Sequence, residues 1–158
     1  MKVQVISDIH FDENNIDMNL MSIPVLSDIL IVCGDICPLT KCSENYGKFL
    51  QYINKYWKQV YYVLGNHEYY VTSCDYRMIS SIYRDLFASY KNIHFVDRDI
   101  YLDDANKTII LGCTLWTNVS SISKNKLQKE NLFNKMNKYK TRSMLEKVVF
   151  TKEDYMSL

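Results

Sequence analysis

A chain of 158 residues that is 47% hydrophobic and 23% charged fits one globular domain, long enough to bury a core without disulfide or zinc staples. With 19 basic residues against 18 acidic ones, the molecule has no net field to steer it toward nucleic acid or an anionic membrane surface. Polar residues interrupt the first eight positions too early for a signal peptide, and the longest clean apolar run, 29–33, is far short of the roughly 20 residues that cross a bilayer, so a cytoplasmic protein without a membrane segment is expected.

Residues 2–6 are a short β-branched run that ends in Ser7-Asp8, and 29–33 are a second that ends in Gly34-Asp35. Tyr46, Phe49, Leu50, Ile53, Tyr56 and Trp57 then recur at helical spacing, with Ser43 available as N-cap. A third strand is predicted over 60–64, followed at once by Gly65-Asn66-His67. Ile79, Ile82, Tyr83, Leu86 and Phe87 predict a second helix, with Ser73 or Asp75 as candidate caps. Strands over 93–96, 100–102 and 108–111 come next, the last two flanking a turn-like Asp103-Asp104-Ala105-Asn106. The order β, β, α, β, α, hairpin predicts an α/β fold with parallel pairing, in which ligands collect beyond the carboxyl ends of the strands.

After Trp116 the composition shifts to Lys, Asn and Ser, with eight basic and two acidic residues over 118–147. Clustered cations attract anions such as nucleic acid. The interleaved Asn and Ser and the scarcity of aromatic residues fit a solvated face better. Trp116 and the 13 tyrosines read as packing residues rather than a base-stacking platform, and Met136 and Met144 as core or loop filler. Five cysteines without a C-x-x-C pair read as reduced structural thiols; Cys33, Cys37 and Cys42 match no standard zinc spacing.

Three polar clusters carry chemistry. In Asp8-Ile9-His10, residues i and i+2 of an extended segment project to one side, so a carboxylate and an imidazole can meet one cation. Asp35 has two oxygens and can bridge a pair of ions. Asn66 adds an amide oxygen, and His67 turns an imidazole toward whatever the ions hold. Two of the chain's four glycines, Gly34 and Gly65, immediately precede proposed ligands, where a residue without Cβ can adopt angles that swing the next side chain into place. Taken singly, each cluster is an ordinary cap or turn. Taken together, in order and at the ends of buried strands, they point to one metal site.

Asp8-x-His10, then Gly34-Asp35, then Gly65-Asn66-His67-Glu68 resembles the calcineurin-like metallophosphoesterase superfamily. Gly112-Cys113-Thr114-Leu115-Trp116-Thr117 and Phe150-Thr151-Lys152-Glu153-Asp154 resemble segments of a bacterial-type branch of it, so the resemblance spans essentially the whole chain. It implies the N-terminal portion of a four-layer α-β-β-α sandwich. It also implies two divalent cations, manganese, iron or zinc: Asp8 and His10 on the first, Asp35 bridging, Asn66 on the second. His67 would orient or protonate the substrate phosphate while a metal-bound hydroxide attacks phosphorus. The implied substrate is a phosphomonoester or phosphodiester, a small molecule or nucleotide. Glu68 would support the ligands from behind or sit in solvent.

The superfamily pattern continues with a further metal-binding histidine and a Gly-His-x-His motif, which this chain lacks; its remaining histidine, His94, opens a predicted strand and reads as structural. The second cation would keep only Asp35 and Asn66 and be held weakly. A single truncated domain over 1–158 is therefore expected, part of whose inner sheet would be uncovered and open to self-association. The alternative function is a catalytically incomplete module that acts by binding a partner.

Overall fold

A computed structural model of the chain describes residues 1–14, 22–70, 75–104 and 107–115. Strands β1 (Gln4–Ile6), β2 (Ile29–Val32), β3 (Gln59–Tyr62) and β4 (Ile93–Phe95) form a parallel sheet in the order β1-β2-β3-β4. Helix α1 (Phe11–Asn14) follows β1, α2 (Leu39–Tyr56) joins β2 to β3, and α3 (Ile79–Phe87) precedes β4. Strands β5 (Asp99–Asp103) and β6 (Thr108–Gly112) form an antiparallel hairpin that pairs Asp99 with Gly112 and Asp103 with Thr108. The expected order holds, with α1 added; four residues are too few to show an apolar period. Among the described residues no helix is long and apolar enough to cross a membrane.

Both faces of β3 are covered, which is why β2 and β3 read as nearly continuous apolar runs. On one face Leu30, Val32, Val60, Tyr62 and Ile93 pack against Tyr46, Phe49, Leu50 and Ile53 of α2 and Ile79, Tyr83 and Phe87 of α3. The buried hydroxyl of Tyr46 donates to that of Tyr62 at 2.8 Å, and Tyr83 donates to the Cys37 carbonyl at 3.2 Å. On the other face Ile29, Tyr61 and Val96 pack with Val63, Tyr101 and Ile110, so the hairpin lies over the β3–β4 side. Its opposite face carries the cross-strand pairs Ile100–Leu111 and Leu102–Ile109, each residue more than 60% exposed.

Four details depart from the sequence reading. Helix α2 starts at Leu39, four residues before Ser43, with Pro38 at the N-cap and no side-chain cap; proline's fixed φ and missing N–H suit it to that boundary. Tyr56 is 46% exposed and Ile82 36%, because both lie at the edges of their apolar stripes. Asp75 caps not α3 itself but the 3-10 turn Tyr76–Met78 before it, accepting the Arg77 N–H at 2.9 Å. Cys37 is disulfide-bonded rather than reduced, which removes it from any thiolate cluster. Ser73, Trp116, Met136, Met144, the basic stretch 118–147 and the segment 150–154 lie outside the described residues.

The loops that leave β1, β2 and β3 are tied side by side. Beyond β1, Asp8 N donates to Gly34 O, His10 N to Asp35 O and Phe11 N to Ile36 O, at 2.9 to 3.1 Å. This extends the β1–β2 ladder past the strand ends, and the buried side chains of Phe11 and Ile36 anchor it to the core. The β2 and β3 loops are joined by Glu68, whose side chain has no exposed surface. Its Oε2 accepts Asp35 N at 3.0 Å and Gly65 N at 2.9 Å, and its Oε1 accepts Ile36 N at 2.8 Å. Burial pushes the carboxyl up to about 7, against the pull of the Ile36 and Asp35 amides toward the charged form. Of the two readings open for Glu68, the supporting one is correct.

Glycine is required twice here. Gly34 has φ +77°, and a Cβ on it would overlap the Gly65 backbone. A Cβ on Gly65 would overlap the Asp35 carboxylate and lie 2.5 Å from Asp35 N. Gly65 therefore serves close approach rather than unusual angles, which the sequence reading had assigned to both. Gly65→Ala is expected to lower the unfolding free energy by about 3 kcal/mol, as other overpacked sites do. Glu68→Gln, which turns an N–H2 toward an amide donor, should cost about 2 kcal/mol. Urea denaturation measures both; a Gly65→Ala chain as stable as the parent would contradict the loop packing described.

Candidate metal centre

Asp8, His10 and Asp35 all lie in the left-handed region, at φ 56°, 50° and 53°. Such a conformation costs a non-glycine residue about 1–2 kcal/mol, and Asp and His are among the types that tolerate it best. Asp8 and His10 therefore converge by a route other than the extended segment expected from sequence. The turn at each residue, held by the loop ladder, folds their side chains toward Asp35.

His10 Nε2 lies 3.8 Å from Asp8 Oδ1 and 4.0 Å from Asp35 Oδ2, and one donor atom from each of the three residues falls within 4.8 Å of the others. These gaps are too long for hydrogen bonds, and a cation with bonds of about 2.0–2.2 Å can span them after a small closure. Ser7 Oγ donates to Asp8 Oδ2, which leaves Oδ1 on the His10 side. Asp35 divides its oxygens in the same way: Oδ1 accepts the His67 N–H at 2.8 Å, and Oδ2 faces His10. Asp8 is 66% exposed, whereas His10 and Asp35 are 20% and 15% exposed, so the centre opens to solvent on the Asp8 side.

Asn66 and His67 enter at the start of the 3-10 turn His67–Tyr69, which Asn66 immediately precedes. The Asn66 amide nitrogen donates to the Tyr70 hydroxyl at 3.1 Å, which commits that nitrogen and leaves Oδ1 as the atom available to a cation. Asn66 and Asp35 line one cleft of about 760 Å³, bounded also by Cys33, Val63, Arg98 and Leu111. The His67 ring stands edge-on to His10, with centroids 4.3 Å apart and planes at 88°. Nδ1 of each histidine is buried with no hydrogen-bond partner among the described residues. Buried imidazole nitrogens in native proteins are normally paired, so two such atoms side by side fit a site built to take a ligand.

Of the residues expected at the site, Asp8, His10 and Asp35 share one cluster, His67 stands beside His10, and Asn66 lies on the adjoining cleft. One was missed: Asp12, in the first turn of α1, brings a carboxylate oxygen within 4.8 Å of donor atoms of His10 and His67. Its only sequence signal was an acid two positions after His10, which any solvated turn would also show. His94 is structural as expected. Its Nε2 meets Gln59 Oε1 at 2.5 Å, its ring stacks between Tyr61 and Tyr101, and burial lowers its pKa against the opposing pull of Asp103.

Carboxylate, imidazole and amide oxygen donors suit a first-row divalent cation such as manganese, iron or zinc, and the residues present fit one. Adding manganese or zinc to the metal-free chain should raise its thermal midpoint, with a stabilisation of about 2.7 kcal/mol at a free-ion concentration one hundred times Kd. Asp35→Asn, which keeps the oxygen that accepts the His67 N–H, should abolish most of that rise, and a chelator should reverse it in the parent. A parent chain whose midpoint ignores both ions would contradict the site.

The model of the calcineurin-like phosphoesterase family matches residues 1–151. The uncharacterized protein L509 of Acanthamoeba polyphaga mimivirus is 36% identical over 105 residues, which is 63% of this chain and 35% of that protein. The chain thus spans about a third of the length of the relative it matches. No solved structure is a significant match. A parallel sheet whose strand ends bring Asp8, His10 and Asp35 together, with His67 beside His10 and Asn66 on the adjoining cleft, agrees with a family match over nearly the full length, and the chain belongs to the calcineurin-like phosphoesterase family.

Proposed function

We propose that this chain carries the core of a metal-dependent phosphoesterase that hydrolyses phosphomonoesters or phosphodiesters, small molecules or nucleotides. In this reading Asp8, His10, Asp35 and Asn66 hold two divalent cations, with Asp35 shared between them, and His67 faces the substrate. The observation that carries it is the convergence of Asp8, His10 and Asp35 within 4.8 Å, beside the His67 ring. When bound, a pair of such ions lowers the pKa of water and neutralises phosphate oxygens.

The chain's own residues then have distinct tasks. Asp8 and Asp35 supply negative charge that a cation compensates, and His10 orients between them. The Asp35 contact to His67 N fixes the turn that carries the imidazole. His67 is thereby positioned to hydrogen-bond a phosphate oxygen and to donate a proton to the departing oxygen. The cleft beside Asp35 and Asn66, mostly apolar with Arg98 at its rim, is suited to an ester's organic portion. Asn66 is the weaker cation contact, because among the described residues only Asp35 accompanies it.

A second reading, a catalytically incomplete module that acts by binding a partner, draws support from the exposed pairs Ile100–Leu111 and Leu102–Ile109. Hydrolysis of p-nitrophenyl phosphate and bis(p-nitrophenyl) phosphate, with manganese, iron or zinc, separates the two. The phosphoesterase reading expects metal-dependent release of p-nitrophenol. It also expects a fall of at least about a hundredfold in Asp35→Ala and of about 10²–10⁴ in kcat for His67→Asn. No turnover with any of the three ions would favour the binding module.

A further inference from the structure

The cleft that Asp35 and Asn66 line has a volume of about 760 Å³, a size usual for sites that enclose a small organic ligand. It exists because the β5–β6 hairpin covers only the β3–β4 side of the sheet, which leaves β2 open on that face. Ile31 and Val63 form its floor, pointing away from the core that takes their neighbours Leu30, Val32, Tyr62 and Leu64. The root of the hairpin forms its wall, where Ile100, Leu111 and Leu115 are 62%, 70% and 89% exposed. Gly112 lets that root sit close on the sheet, since a Cβ there would come within 2.7 Å of the Val63 side chain. Past Ile31 the apolar floor continues to its cross-strand partner Val5, which is 57% exposed.

The polar groups along the cleft are already engaged within the protein. Thr114 Oγ1 donates to Leu64 O at 2.6 Å, Asp99 Oδ1 accepts the Ile100 N–H at 2.8 Å, Asp99 Oδ2 lies 3.9 Å from Arg84 Nη1, and Arg98 Nε lies 3.7 Å from Asp97 Oδ1. They are poorly placed to read the hydroxyls of a sugar. No aromatic side chain is among the described lining residues, so none of them offers a face on which a nucleobase stacks. What the cleft presents is aliphatic surface leading away from Asp35 and Asn66.

We infer that this cleft takes the aliphatic chain of an alkyl phosphate, so that the substrate is the phosphate ester of a long-chain alcohol rather than of a sugar or a nucleoside. The inference rests on the phosphoesterase reading, because a phosphate held at the Asp35–Asn66 end is what directs the ester's substituent along the cleft. Leu111 and Leu115 are then specificity-determining residues that touch the chain and not the reacting atoms. Each methylene moved from water onto such a surface tightens binding by about fourfold until the cleft is filled.

Titration calorimetry of the full 158-residue chain with manganese and the non-hydrolysable methyl-, butyl- and octylphosphonates, each below micelle formation, tests this without turnover. From methyl to octyl, Kd should tighten at least about a hundredfold. Leu111→Asn and Leu115→Asn, both at exposed positions, should each cut the octyl-to-methyl ratio at least about fivefold. In parallel, kcat/KM for octyl phosphate should exceed that for methyl phosphate and for glucose 6-phosphate at least about a hundredfold. Kd values that ignore chain length overturn the inference, as does a ratio unchanged in both variants. A parent that sediments as a dimer, with Leu111→Asn a monomer and binding flat in chain length, gives the apolar surface to a second copy instead. Hydrolysis of all three esters alike, with flat binding, sinks this inference and leaves the phosphoesterase reading standing. Binding that follows chain length, without hydrolysis of any ester by manganese, iron or zinc, sinks the phosphoesterase reading and leaves the aliphatic preference of the cleft.

Discussion

The amides of Asp35, Ile36 and Gly65 converge on one carboxylate that has no exposed surface, and the site is built around that contact. Burying a carboxylate is costly unless donors surround it, and here the donors come from two separate loops. Glu68 therefore holds the β2 and β3 loops at a spacing that only glycine on each side permits. The proposed ligands Asp35 and Asn66 and the imidazole of His67 sit on those loops, so their relative placement follows from a side chain whose oxygens are bound to backbone amides.

A second constraint lies in the backbone of the clustered residues themselves. Asp8, His10 and Asp35 adopt left-handed angles, which an unsupported chain would relax. The bonds from Asp8, His10 and Phe11 to the Gly34–Ile36 segment hold two of them, and the Asp35 bonds to Glu68 and His67 hold the third. Backbone strain of this kind concentrates where a protein must present groups in a geometry set before the ligand arrives. Two carboxylates and an imidazole brought together in this way gain a strong local preference for positive charge, although the whole chain is close to neutral.

Much of this was legible in the residues. Strands β2 and β3 announced themselves as apolar runs because both faces of the sheet are covered, and α2 and α3 because each has one apolar stripe. The residues that meet at the candidate site were legible because they follow strands at once and because two scarce glycines precede Asp35 and Asn66. Features that depend on tertiary approach were not. Nothing local distinguishes Glu68 from a solvated turn residue, since its burial comes from a loop 32 residues away. The close approach at Gly65 reads as an ordinary turn glycine, and Asp12 as an acid on a short helix without periodicity. Ser43 looked like a cap because hydroxyl side chains usually are, whereas Pro38 opened the helix earlier.

The order of the chain gives one further consequence. All the proposed cation donors, and the carboxylate that braces them, fall between positions 8 and 68, while the hairpin that covers the far face of the sheet comes some thirty residues later. During synthesis on the ribosome, these proposed donors emerge before the β5–β6 hairpin has been made. In the proposed reading, an ion bound by these donors as they emerge ties the first strand ends together early, and so serves as an assembly aid for the polypeptide.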